Sequence, residues 1–280
     1  MAITASIPKL VSTKILRVLH NELVAMKICT QEPDAPIKKE GDTVYFSGLA
    51  SPKINNYEGA INYENLHDAS IALLIDKKKY YAFKVPDIEA FQSNIDVKGS
   101  QVSEAAYGLA NQADKDVFAL WSEAGLTHTD ANVDVVSVLS TTSTTLRKLE
   151  EKNVRPGNMW MVIPPWYKEK LRLAGVKWQI NEGMGGEEGG VEWAKYNGAT
   201  LYTSNNIYTT GSEGSYASKI LAGSYNSIIF AKQMLKNRFI PDLEDSFAGG
   251  ASGLMVYGCK VLKPNELICL SATQTAETAI

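Results

Sequence analysis

The stretch Ala69–Val85, ASIALLIDKKKYYAFKV, organises the reading of this chain. Its alternate positions Ile71, Leu73, Ile75, Lys77, Lys79, Tyr81, Phe83 and Val85 fall on one face, and no Gly or Pro interrupts them. Alternation of this kind is the mark of a strand rather than a helix. Extended throughout, the run would reach roughly 55 Å at about 3.3 Å per residue, well beyond a typical strand of about five or six residues. Thr43–Ser47 (TVYFS) reads as an earlier strand, and a polar, Asn- and Gly-rich stretch, 51–68, lies between the two. One reading is a long two-stranded hairpin that projects from a body and lies on something else, because isolated hairpins are marginal in water. The other is two shorter strands with a bend near Asp76–Lys79. The pattern fits both.

Outward from this stretch, the N-terminal side reads as an amphipathic helix from about Pro8 to Ile28. Val11, Ile15, Leu19, Leu23 and Met26 form its stripe, and Pro8 suits a first turn. Residues 31–42 (QEPDAPIKKEGD) break the pattern with two prolines, a glycine and dense charge. On the C-terminal side a short helix is predicted from Asp87 to about Ser93. A long one follows from about Ser100 to Ala124, with the stripe Val102, Ala106, Leu109, Ala113, Val117, Leu120, Trp121 and Gly125 as its stop. Beyond Asn132 the elements shorten. The run STTSTT at 140–145 leads into a helix at Leu146–Asn153, and Arg155–Asn158 is a turn before the strand Met159–Ile163. A helix from Pro164 to Gly175, strands at Thr200–Thr203, Ile220–Ala231, Gly253–Leu262 and Glu266–Leu270 complete the chain. Helices and strands without regular βαβ alternation give an α+β class.

Composition narrows function by exclusion. The 280 residues hold 28 Lys+Arg against 31 Asp+Glu, a net charge of −3, and 45% are hydrophobic, so disorder and a dedicated nucleic-acid binder are both disfavoured. Cys29, Cys259 and Cys269 include no close pair and read as reduced thiols of a reducing compartment. The first residues show no secretory signal, and no apolar run approaches membrane-span length, so a soluble protein is expected.

The search for catalytic chemistry returns little. His20, His67 and His128 are scattered, and there is no GxSxG, HExxH or P-loop. Gly183–Gly190 (GMGGEEGG) could form an anion nest. It lacks a phosphate-binding Lys, however, and Glu187 and Glu188 would repel phosphate, so a surface loop is the better reading. Trp160, Trp166, Trp178 and Trp193 read as core and rim packing. On a strand Lys77 and Lys79 face one way and Lys78 the other, which suits edge protection or an inter-chain contact rather than one basic patch. No catalytic residue, cofactor or metal is expected.

Several blocks, taken in order, resemble the major capsid (coat) proteins of tailed bacteriophages with the Hong Kong 97-type fold. They are MAITASIPKLVSTKILRVLHNELV, GDTVYF, SIALLIDKKKYYAFKVPDIEAFQ, RPGNMWMVIPPWYKEKLRLA, the SNN before Ile207, KILAGSYNSIIFAKQM and GLMVYGCKVLKPNELICL. The resemblance covers nearly the whole chain. It implies an N-terminal arm (1–34), an extended two-stranded loop (35–86), a peripheral domain with a long spine helix (87–130), an axial domain (131–235), and return strands of the peripheral domain with the C-terminus (236–280). It implies a non-enzymatic subunit that self-assembles through hexamers and pentamers into an icosahedral head enclosing double-stranded DNA without sequence specificity, in the virion after assembly in the host cytoplasm. Inter-subunit contacts are expected at Lys53, Tyr57, Glu58, Lys77, Lys78 and Lys79. Because the chain begins directly with the arm, a separate scaffolding protein is expected, with a portal and a decoration protein as further partners and no membrane. Lys53 and Asn55 lie in the loop without an evident partner carboxylate, so covalent cross-linking is not expected. An encapsulin-like bacterial compartment shell is the nearest alternative, and a soluble α+β enzyme is the alternative of another class.

Overall fold

In the computed structural model, which describes residues 24–30, 43–48, 69–86, 97–174, 192–240 and 248–275, the 69–85 run divides. Strand β1 (Thr43–Gly48) pairs antiparallel with β2 (Ala69–Leu74) in a two-stranded sheet of their own. The chain leaves strand geometry at Ile75–Asp76 and resumes as β3 (Lys77–Pro86), which joins a different sheet. Of the two readings, the shorter strands with a break are observed, and β1–β2 is still a hairpin ladder. Side-chain parity runs unbroken across the break. Leu73 and Ile75 point into a small core with Ile229, Ala231 and Val256, while Tyr81 and Phe83, of the same parity, pack into the main core.

A long helix supports that second sheet. A short α1 (Ala25–Ile28) precedes it in sequence, and the predicted helix before Val24 lies outside the described residues, as does the one at Asp87–Ser93. Helix α2 (Val97–Phe118) buries Val102, Ala106, Leu109, Ala113 and Val117, the stripe expected from spacing. At ~1.5 Å per residue it is about 33 Å long. It tightens into a 3-10 turn at Ala119–Glu123 instead of running on to Ala124 as α-helix. Gly125 is not a left-handed stop. A Cβ there would meet the Pro264 carbonyl oxygen at 2.6 Å, and the Gly125 N–H donates to that oxygen at 2.9 Å.

The rest builds a mixed sheet. Strand β4 (Leu126–Val133), which its polar sequence hid, is followed by α3 (Val138–Glu150). The STTSTT run lies inside α3 rather than before it, because Thr141, Thr142 and Thr145 donate their hydroxyls to the Ser137, Val138 and Thr141 carbonyls four residues back. Strand β5 (Met159–Ile163) and α4 (Pro165–Leu173) fall where expected. Then come β6 (Glu192–Tyr196), β7 (Ala199–Thr203), the short β8 (Thr209–Thr210), β9 (Ala217–Ser224), β10 (Ile228–Ile240), β11 (Ala248–Val261) and β12 (Leu267–Gln274). The single strand expected at Ile220–Ala231 is two, β9 and β10, in different sheets, because the chain turns at Tyr225–Ser227.

Two larger sheets result, one of three strands (β10-β11-β3) and one of seven (β4-β12-β9-β5-β7-β6, with β8 on β9). Pairings are antiparallel except β4–β12 and β5–β7. The closing strands part company: β11 joins the sheet under α2, but β12 enters the seven-stranded sheet between β4 and β9. All five residues of β5 are buried, Met159, Met161 and Ile163 against α3 and α4, and Trp160 and Val162 in the main core with α2. The Gly183–Gly190 loop and Trp178 lie outside the described residues.

Candidate assembly surface

The base of the β1–β2 ladder is fixed by three contacts. Leu73 and Ile75 are fully buried against β10 and β11, the Lys260 ammonium donates to the Ala72 carbonyl at 2.8 Å, and Gly258 lets the Leu74 carbonyl pass. A Cβ on Gly258 would stand 2.6 Å from that oxygen. Leu74, on the opposite face, is exposed. The ladder therefore leaves the body in a direction set by packing.

Of the residues expected at inter-subunit contacts, Lys53, Tyr57 and Glu58 lie outside the described residues. Lys77, Lys78 and Lys79 begin β3, an edge strand of the three-stranded sheet. The alternation holds: Lys77 and Lys79 are half-buried and Lys78 is exposed. Lys77 lies 3.7 Å from the Asp116 carboxylate on α2. The Tyr257 hydroxyl on β11 donates to the same carboxylate. Burial raises the Tyr257 hydroxyl well above its ordinary value, and Asp116 raises it further. Cys259, beside them, is pushed up to about 11, chiefly by burial. Lys77 thus ties β3 to the long helix within the chain.

On the sheet face away from α2, Lys78, Tyr80, Ala82 and Lys84 of β3 all point outward, with Tyr80 76% exposed. The ladder sets Leu254 beside Tyr80 and Ser252 beside Ala82, and Arg238 of β10, also exposed, beside Ser252. This face is basic, with the exposed Tyr80 among the cations, and at its Val256 end Leu73 and Ile75 pack against it. Sequence alternation marked Lys78 as the odd one out of the lysine run but gave no sign of Arg238, which only strand pairing brings to the same face.

A second feature sits where α1, α2 and the turn after β7 meet. Asp114 is buried, accepts from the Ala25 N–H at 3.1 Å and from the Asn206 amide at 3.5 Å. Burial raises its carboxyl to about 6 despite those donors. Beside it a cleft of about 410 Å³ is lined by Tyr107, Lys115, Thr203 and Ser204 among others. The Ser204 hydroxyl oxygen accepts from the Asn206 N–H at 3.2 Å. His128 shares a hydrogen bond with Thr145 at 2.9 Å and is held below its ordinary range by burial and Lys148. His20 and His67 lie outside the described residues. Among the described residues no three metal-ligating side chains cluster, and no helix is long and apolar enough to cross a membrane.

Edge strands, a rooted ladder and a helix-backed sheet give the chain the α+β, Hong Kong 97-type fold seen in tailed-phage capsid proteins. The chain superposes on a structure from Mycobacterium phage Che8 with a TM-score of 0.71, at 21% identity over 89% of this chain and 90% of that one. It matches the capsid of Ralstonia phage GP4 with a TM-score of 0.68, at 11% identity over 90% and 89%. A virus-like particle from Pyrococcus furiosus matches with a TM-score of 0.60, at 11% identity over 94% and 99%. No family model and no curated protein matches the sequence.

Proposed function

We propose that this chain is the major capsid protein of a tailed bacteriophage, a non-enzymatic subunit whose copies close into an icosahedral head around double-stranded DNA. The observation that carries the reading is the shared fold with phage capsid subunits over about nine-tenths of both chains. In this reading residues 1–34 form the arm, 35–86 the extended loop, and 87–130 the peripheral domain with α2 as spine. Residues 131–235 form the axial domain and 236–280 the return strands and C-terminus, with β12 crossing back into the axial sheet. Hexamers and pentamers of the chain are its principal partners, and a scaffolding protein, a portal and a decoration protein complete the head, which assembles in the host cytoplasm. Contacts near a standard interface of roughly 1,600 Å² suffice, since closed symmetry makes many reversible contacts cooperative.

The Pyrococcus furiosus particle keeps a compartment shell as the second reading, at the lower TM-score of 0.60. Expression followed by electron microscopy tests both: closed shells are expected, and a chain that stays monomeric under all assembly conditions contradicts the proposal. Native particles that carry a genome and portal support the phage head, whereas one dominant cargo enzyme supports the compartment. Deleting about Lys53–Asn65 is expected to spare subunit folding, read by circular dichroism, and to abolish shells. Normal shells from that deletion would remove the loop from the inter-subunit contact.

A further inference from the structure

The cleft beside Asp114 has a chemistry that neither the fold nor the shell reading uses. Tyr107, Asn111 and Asp114 stand at i, i+4 and i+7 on α2, so one stripe of the long helix makes a wall about two turns long. The turn after β7 supplies a second wall through Ser204 and Asn206, and Val24, just before α1, a third. Exposure grades outward through these side chains. Asp114 is 3% exposed and Ser204 7%, Asn111 and Asn206 are half-buried, and Tyr107 and Lys115 are exposed. A carboxylate therefore lies deepest, with an aromatic ring and an ammonium toward the mouth.

The polar groups are set to receive donors. An ionised carboxylate offers about four acceptor positions. On Asp114 the Ala25 and Val24 N–H groups and the Asn206 amide take three of them, the amide at a long 3.5 Å. With its NH2 on Asp114, Asn206 keeps its side-chain carbonyl oxygen as a further acceptor, and its own N–H on Ser204 holds the turn in shape. The donors do not compensate the burial, which still raises the Asp114 carboxyl to about 6. A group that brings both N–H donors and positive charge supplies what is missing, whereas a neutral or anionic one does not. Space for it exists, since the cleft holds about 410 Å³, within the roughly 300–1,000 Å³ of small-molecule sites.

We infer that this cleft binds a guanidinium or primary ammonium head seated on Asp114, carried on a short apolar stem that leaves past Tyr107 and Lys115. The Asn206 and Asn111 carbonyl oxygens add acceptors for the remaining N–H groups, and the Tyr107 ring offers its face to the cation or its stem. Lys115 disfavours a second cation on the ligand and favours a carboxylate at its far end. The head is that of an arginine or lysine side chain, so the same chemistry comes from a small free molecule or from a second copy of this chain. Asp114 also ties Ala25 to the turn after β7, but that role needs an acceptor oxygen and no charge. The inference goes beyond the shell reading and is independent of it, because binding is read on the unassembled chain.

Calorimetric titration of the full chain tests this with N-acetylarginine, which carries a guanidinium, an alkyl stem and a carboxylate. N-acetylnorvaline, the same stem without the guanidinium, is the control. Saturable binding of the first and none of the second is expected at about pH 7. Affinity should fall roughly tenfold by about pH 5, where a proton on Asp114 must be displaced. Among the described residues the titratable or charged groups facing Asp114 are the Cys29 thiol, which burial raises away from this range, and Tyr107 and Lys115 of α2, while the turn after β7 brings none. Asp114→Asn should weaken binding roughly tenfold or more and flatten its pH dependence, with circular dichroism unchanged. Asn111→Leu should weaken binding and leave the pH slope in place, which decides the matter even where Asp114→Asn fails to fold. Equal binding of both probes, no binding at about millimolar probe, or wild-type affinity in Asp114→Asn overturns the inference. Assembled shells that exclude the probe assign the cleft to a side chain of a second copy, and shells that bind it as the free chain does assign it to a small molecule. A chain that forms no shells contradicts the shell reading and leaves the binding result standing.

Discussion

Asp114 holds the amide of Ala25 and the side chain of Asn206 from near the C-terminal end of α2, so three separate stretches meet on one carboxylate. Burial raises this group from 3.8 to about 6, and the donated hydrogen bonds only partly offset the desolvation. The folded subunit keeps the proton at pH values where the unfolded chain has lost it. Its contribution to stability is then fullest below about pH 4 and is lost as pH rises through about 6, a difference on the order of 3 kcal/mol. Among the described residues, the charged or titratable groups near it are the Cys29 thiol of the N-terminal segment and Tyr107 and Lys115 of its own helix, and Asn206 brings no charge. Asp114→Asn is expected to remove this slope. Urea unfolding of the unassembled subunit at about pH 4.5 and 7.5 measures it: wild type should lose stability relative to Asp114→Asn on going up in pH. An equal gap at both values would mean an ordinary carboxylate.

The element that most shapes the molecule is the passage from β2 to β3, and its critical residue is Gly258 on a neighbouring strand. Gly258→Ala would drive a Cβ to 2.6 Å from the Leu74 carbonyl oxygen and 3.2 Å from the Ile75 Cα, both backbone atoms without rotamers to yield. A cost of about 1–3 kcal/mol is expected, as for other overpacking substitutions, read from the urea midpoint. Gly108→Ala is the contrast, because it lies in α2 with nothing within 4 Å of the added methyl. It should stabilise by about 0.5–1 kcal/mol through helix propensity. A neutral Gly258→Ala would mean the ladder base shifts freely. The same passage shows what sequence could reveal. Alternation in 69–85 located strand material and its parity, and the apolar stripe of α2 located the long helix almost whole. Neither discloses a change of partner, because Leu73 and Tyr81 share a parity while facing different cores. The polar β4 and the threonine-rich start of α3 were hidden for a related reason: their polar groups are satisfied by partners that spacing does not reveal, such as Tyr167 for Thr142. The basic face was half legible, Lys78 and Lys84 by alternation, Arg238 only through the ladder.

At the scale of the whole molecule the two larger sheets share one core. Trp160 and Val162 of β5, Tyr202 of β7, Leu221 of β9 and Leu267 and Cys269 of β12 pack in the same cluster as Phe230, Met255 and Tyr257 of the other sheet, with α2 between them. The Trp160 indole N–H donates to the Ser224 carbonyl at 2.9 Å, four residues before the chain enters the other sheet at Ile228. Strand β12 adds a second crossing from the opposite end. A core continuous across both sheets leaves no seam along which one could melt alone, so the free subunit should unfold in a single cooperative step despite its elongated parts. Two probes on opposite sides test this. Trp160 and Trp166 are buried on the seven-stranded side, and fluorescence follows them. Cys29 is buried against the three-stranded side, and its thiol is masked until that side opens. In rising urea, loss of Trp emission and exposure of Cys29 to a thiol reagent, with Cys259 and Cys269 replaced by Ala, should share one midpoint. Thiol exposure at clearly lower urea would show the three-stranded sheet opening first, making the shared core two cores in practice. A common midpoint would mean that the direction of the β1–β2 ladder, seated on one sheet, is held by the stability of both.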